Sequence, residues 1–140
     1  MDLSNPKLCC AILLPALCLA AASRFTATEL QDHRNWMDDA QDKKEDLREA
    51  LAAKDARKLL AAAQATDALT AKELAFWART EIKQAQELAA KNREESRELV
   101  RAATASRLDS AGAAFASLER TCSSCHDLHF EKNEALSPGQ

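Results

Sequence analysis

The chain has few of the residues that interrupt helices. In 140 residues there are 2 glycines and 3 prolines, no tyrosine, and only 4% aromatic residues. All three prolines lie outside the stretch from Ala16 to Ser137, where the only glycine is Gly112. Strands want β-branched and aromatic residues, and these are scarce. What remains, Ala, Leu, Glu, Lys, Arg and Gln, is the composition of helices. No charge of one sign dominates: the net charge is −3, with both signs interspersed. Nothing in that balance suggests a nucleic-acid patch or a basic membrane-binding face. The length suits one domain with a single core.

The only long apolar run is at the start. Lys7 precedes Leu8 to Ala22, and Ala20-Ala21-Ala22 before Ser23 has the small-residue form of a cleavage site. The run is shorter than the ~20 residues needed to span a bilayer, and Pro15 interrupts it. Pro15 also stands where a lipid anchor at Cys18 would need a branched aliphatic residue. The reading is a cleaved signal peptide over 1–22, export to the periplasm, and no stable membrane anchor.

Cleavage changes the cysteine count. Of 5 cysteines, Cys9, Cys10 and Cys18 leave with the signal, and Cys122 and Cys125 remain. A multi-disulfide scaffold is thereby excluded.

The remainder, 23–132, reads as four helices, with a frayed tail over 133–140. Thr28 with Gln31, or Thr26 with Glu29, has capping-box spacing for the first helix. Its seam runs Leu30, His33, Met37, Ala40, Lys44, Leu47, Leu51, in steps of three and four. Lys54-Asp55 reads as a tight reversal, with Asp55 capping a second helix that buries Leu59, Ala63 and Leu69. Thr70 with Glu73 has the spacing of a further cap, introducing Leu74, Phe76 and Trp77. A third seam follows through Ile82, Ala85, Ala89, Asn92, Ser96, Leu99 and Ala103. It is made of mostly small residues that leave volume for a cofactor. Ser106 and Asp109 suggest the last cap, before Leu108, Ala111, Phe115, Leu118, Cys122, Cys125 and His129. The expected fold is all-α, an antiparallel up-down-up-down four-helix bundle.

Cys122-Ser123-Ser124-Cys125-His126 has the spacing of a c-type haem attachment site. Two thiols three positions apart can form thioethers to the two vinyl groups on one side of a porphyrin, and the next imidazole then serves as an axial iron ligand. The competing readings are a redox dithiol, a zinc site and a small-loop disulfide. A dithiol of this spacing usually opens a helix after a strand. Neighbouring Cys125 and His126 could not easily share a tetrahedral zinc, and so short a disulfide loop stabilises little. One haem c near the C-terminal end of the fourth helix is the favoured reading.

For the second axial position the candidate is Met37, the one methionine outside the signal. His33, one turn earlier, is its rival, and an open or apolar-blocked site is the third possibility. His129 lies on the same helix as His126 and cannot cross to the opposite face. Lys44 either carries its charge to solvent or pairs with a propionate.

These features resemble the class II cytochromes c, the cytochrome c prime family: a helical bundle, a haem motif near the C-terminus, and a first-helix residue able to meet the distal face. The run from Cys122 to Asp127 and the Lys54-Asp55 reversal resemble that family too. The resemblance implies a low-spin electron carrier where a first-helix methionine ligates iron, as Met37 is placed to do. Where that residue is apolar, it implies a five-coordinate haem that binds nitric oxide or carbon monoxide. It also implies redox partner proteins and a possible homodimer through the first two helices. The sequence departs from the family where an arginine or lysine usually follows the haem histidine. Here Leu128, His129 and Phe130 come first, then Lys132. No general base, nucleophile or substrate pocket emerges, so the expectation is a carrier and not an enzyme.

Overall fold

A computed structural model of the chain describes residues 25–129. The signal segment 1–22 and the tail 133–140 lie outside the described residues. Four helices follow one another: α1 (Ala27–Ala52), α2 (Ala56–Trp77), α3 (Lys83–Thr104) and α4 (Leu108–His129). The connections 53–55, 78–82 and 105–107 are too short to do anything but reverse the chain. Each helix therefore packs against the next, giving the expected up-down-up-down bundle. No strand occurs among the described residues, and none of their helices is long and apolar enough to cross a membrane.

Of the two capping boxes available to α1, the chain uses Thr26 with Glu29. The Glu29 amide donates to Thr26 Oγ1 at 3.1 Å, and the Thr26 amide donates to Glu29 Oε2 at 2.7 Å. Arg79, just beyond α2, donates to the other Glu29 oxygen at 2.5 Å. That guanidinium, and then the Thr26 amide, hold the Glu29 carboxyl down at about 2.

The reversals at 53–55 and 105–107 share one design. Lys54 and Ser106 both take a left-handed conformation, each with φ of 53°. The Lys54 amide donates to Leu51 O and the Asp55 amide to Ala50 O, while Ser106 donates to Ala103 O and Arg107 to Ala102 O. These are Schellman endings, built here without glycine. Asp55 then caps α2 as expected, accepting from the amides of Arg57 and Lys58 at 3.1 and 3.0 Å.

Two expected caps are corrected. Ser106 does not begin α4; it is the left-handed residue that ends α3. Thr70 and Glu73 do not start a helix either, because α2 runs unbroken through them to Trp77. Both side chains are buried, and Thr70 Oγ1 hydrogen-bonds to the Asp67 carbonyl and to Ser96 Oγ. The break comes at 78–82 instead. There Thr80 Oγ1 donates to Trp77 O and accepts from the Ile82 amide, and Gln86 Nε2 donates to Thr80 O.

Four leucines, Leu47, Leu59, Leu99 and Leu118, one from each helix, are fully buried in a single cluster. Alanines fill the rest of that cluster with Phe115, so the backbones close tightly toward the 53–55 and 105–107 turns. A second cluster occupies the other end: Phe25, Leu30, Phe76, Trp77, Ala85 and Ala89. Among the described residues it takes nothing from α4. The α1–α4 seam is the sparsest of the four neighbouring seams. Arg48 bridges it by pairing with Glu119, and its guanidinium lies 5.8 Å from the centre of the Phe115 ring.

A left-handed conformation strains any residue with a Cβ by ~1–2 kcal/mol, part of which glycine gives back in backbone entropy. Ser106→Gly should therefore raise the unfolding free energy by about 0.5–1 kcal/mol and Tm by about 3 °C. Ser106→Ala should leave both nearly unchanged; thermal denaturation of the two variants checks this.

Candidate functional site

The second half of α4 carries Cys122, Cys125 and His126. At ~100° per residue, positions 122, 125 and 126 fall within about a third of the helix circumference. All three therefore project to one side. Hydroxyls brace this stretch of helix: Ser124 Oγ donates to Arg120 O at 3.0 Å, and Thr121 Oγ1 to Ser117 O at 3.3 Å. Thr121 and Ser117 also donate to Glu95 Oε1 on α3, at 3.1 and 2.6 Å, and this fixes the rotation of α4.

Cys122 is half-buried at the edge of the leucine cluster, and its thiol approaches Asn92 Oδ1 at 3.8 Å. Cys125 is also half-buried, and His126 is exposed. Neither thiol is in a disulfide. Burial pushes the Cys125 thiol up from 9.0 to about 11, helped by the Glu73 carboxylate and by Cys122. Burial likewise raises Cys122, where the Lys44 ammonium opposes it and Glu95, Glu73 and Glu119 reinforce it. Both cysteines are thus neutral thiols at pH 7. A disulfide-exchange site needs the reverse, a thiolate stabilised by positive surroundings. Addition of a thiol across a vinyl group makes no such demand at rest.

Met37 and His33 lie on α1, both half-buried. His33 is already engaged. Its Nε2 lies 3.2 and 3.3 Å from the two oxygens of Glu73, and its ring stacks on Phe76 with centroids 4.2 Å apart. The edges of Trp36 and Trp77 close around it. The end of α1 and the start of α4 lie at the same end of the bundle and give a common level for comparing the two helices. At 1.5 Å per residue Met37 lies about 23 Å from Ala52 along α1 and His33 about 29 Å, while His126 lies about 27 Å from Leu108 along α4. His126 therefore falls between the levels of Met37 and His33, nearer that of His33.

Comparison with family models, curated proteins and solved structures found no match to this chain. The function must therefore be argued from the residues themselves.

Three features suit a flat, covalently held macrocycle. The thiols are unpaired and protonated. The upper part of α3 enters its buried cluster through two small residues, Ala85 and Ala89. The α1–α4 seam is the loosest of the bundle. The donor set does not suit a bare cation: among the described residues no three His, Cys, Asp or Glu side chains converge as metal ligands. His129 ends α4 on the same helix as His126; Phe130 and Lys132 lie outside the described residues.

Composition alone did not mark Glu73 or Glu95 as interior. Glu73 is 8% exposed, and it accepts a hydrogen bond from Trp77 Nε1 at 3.0 Å. Glu95 accepts from Ser117 and Thr121 and lies 3.9 Å from Lys91. Glu95 Oε2 is buried without a hydrogen bond, and Glu73 Oε1 lies against the His33 ring nitrogen at 3.2 Å. The available signal was phase: Glu73 lies three residues past Thr70 and four before Trp77, on the buried stripe of α2.

The raised thiols make stability depend on pH. The folded chain holds each thiol proton more tightly than the unfolded chain does. Stability is therefore complete below 9.0 and is lost as pH rises toward about 11. In the unmodified chain the urea midpoint should fall over that range, and the Cys122→Ser/Cys125→Ser double variant should lose most of the slope. At pH 8, iodoacetamide should label the native thiols at least about tenfold more slowly than in urea.

Proposed function

We propose that this chain is an exported monohaem c-type cytochrome of the cytochrome c prime kind, working as an electron carrier. The observation that carries the reading is the arrangement on α4. Cys122, Cys125 and His126 share one face, and both thiols are unpaired and neutral. Cys122 stands at the edge of the leucine cluster, and α4 adds no residue to the aromatic cluster at the other end. The leader-like segment 1–22 agrees with attachment outside the cytoplasm.

In this reading Cys122 and Cys125 anchor haem c by thioethers, and His126 presents an imidazole to the iron. When bound, the haem supplies a one-electron couple. The chain's own part is to hold both axial ligands fixed, so that little rearranges as the charge changes. Met37 is the second ligand this reading favours. It is the one methionine among the described residues, and thioether sulfur favours ferrous iron. His33, one turn earlier on α1, has its imidazole held by Glu73 and Phe76. Lys44 is half-buried and close enough to act on Cys122, so it can balance a propionate.

Co-expression with a haem-attachment system should yield protein whose haem survives acid–acetone extraction, and Cys122→Ala/Cys125→Ala should abolish this. Haem-free wild-type protein would sink the reading. The reduced protein should be low-spin and slow to bind carbon monoxide. Met37→Ala should turn it high-spin and fast-binding. If wild type already binds carbon monoxide rapidly, the distal site is open, and gas binding becomes the better description. If Met37→Ala stays low-spin, His33 is the ligand.

A further inference from the structure

We propose that Glu73 decides which side chain of α1 takes the second axial place: by holding the His33 imidazole it keeps that ring off the iron and leaves the place to Met37. This rests on the haem reading above and adds to it a positioning residue outside the attachment motif.

Height along the bundle does not choose between the two candidates, since His126 falls between their levels. Their surroundings do. Met37 is half-buried and belongs to neither hydrophobic cluster, so its thioether is uncommitted. His33 Nε2 lies 3.2 and 3.3 Å from the two Glu73 oxygens, and Glu73 is its only polar partner among the described residues. The ring stacks on Phe76 with centroids 4.2 Å apart, and the Trp36 and Trp77 rings stand edge-on at 6.5 and 5.6 Å. Glu73 is held in turn by Trp77 Nε1, which donates to Oε2 at 3.0 Å.

Which nitrogen is held matters, because the two are not equivalent as ligands. Nδ1 adjoins the ring carbon that carries the side chain and is crowded against a flat macrocycle. Nε2, at the far edge of the ring, is the nitrogen suited to an axial position, and Glu73 occupies it. A hydrogen bond to a carboxylate biases the ring toward this position by about tenfold to a hundredfold. To ligate, His33 would have to leave the carboxylate, the Phe76 face and both indole edges, whereas Met37 gives up no such contacts. Imidazole is a good iron ligand, so a free histidine one turn from the methionine is a rival the fold must restrain. A carboxylate buried among aromatic rings is a poor choice for stability alone, since an apolar side chain of similar volume usually packs better.

The test uses haem-loaded protein in which Met37 has been removed. With Glu73 in place, Met37→Ala should be high-spin and bind carbon monoxide fast. Met37→Ala/Glu73→Leu should become low-spin and bind it at least about tenfold more slowly, because the freed imidazole now competes for the place. Adding His33→Ala should return the high-spin spectrum and the fast rate, a reversal that a merely structural carboxylate would not produce. Glu73→Leu alone should stay low-spin but lose the sulfur-to-iron charge-transfer band of the ferric protein. If the leucine variants do not fold, Glu73→Gln keeps the shape and an acceptor for Trp77 while removing the charge, and the same changes are expected. In the unmodified chain, diethyl pyrocarbonate should modify His33 about tenfold faster in the Glu73 variant than in wild type, with exposed His126 as the reference. A double variant that stays high-spin, or a Met37→Ala protein that is already low-spin, overturns this inference alone. Protein that carries no covalent haem overturns the haem reading and this inference together.

Discussion

Leu47, Leu59, Leu99 and Leu118, one from each helix, are fully buried in a single cluster, and the bundle is built around it. Each contributes ~1.5–3 kcal/mol by leaving water, and truncating any of them to alanine would cost ~2–5 kcal/mol. A helix cannot slide by a turn without pulling its leucine out of that cluster. On one side the alanines of the same cluster let the backbones approach. On the other, α1, α2 and α3 build an aromatic cluster that α4 does not join.

Much of this was legible in the sequence, because it depends on period and spacing. The seams of α1, α3 and α4 were readable from steps of three and four. The Lys54-Asp55 reversal was readable from an acidic cap that follows a break in that rhythm. The misassigned caps share one cause. A Ser or Thr followed three residues later by an acid describes a capping box, but it also describes two neighbours on one face of a continuous helix. At Thr26 and Glu29 the first meaning holds; at Thr70 and Glu73 the second does. Ser106 misled because a left-handed helix ending is usually marked by glycine. The loop at 78–82 has neither glycine nor proline and depends on the Thr80 hydroxyl. The grouping of Cys122, Cys125 and His126 was readable because they lie in adjacent turns of one helix. The charge surrounding them was not, because Lys44, Glu73 and Glu95 come from three other helices.

The interior is more polar than its alanine content suggests. Thr70 and Ser96 share a hydrogen bond of 2.8 Å across α2 and α3, and Ser96 also donates to Asp67, which Arg93 holds. Glu95 binds α3 to α4 through Ser117 and Thr121. Alanine surfaces are smooth and could settle in several rotations, whereas hydrogen bonds of this kind are made in only one. The leucine cluster holds the helices together, and the polar pairs set their angle.

The order of the connections has one further consequence. Turns join α1 to α2, α2 to α3 and α3 to α4, so the α1–α4 edge is the one side of the bundle with no covalent bridge. The molecule is built like a book whose spine is the α2–α3 pair and whose covers are α1 and α4. Parting the covers strains no loop, but it breaks the Arg48 contacts to Glu119 and Phe115 and opens the leucine cluster that α1 and α4 both enter. Cys122 and Cys125 are printed half-hidden on the back cover, and His126 stands on its exposed margin.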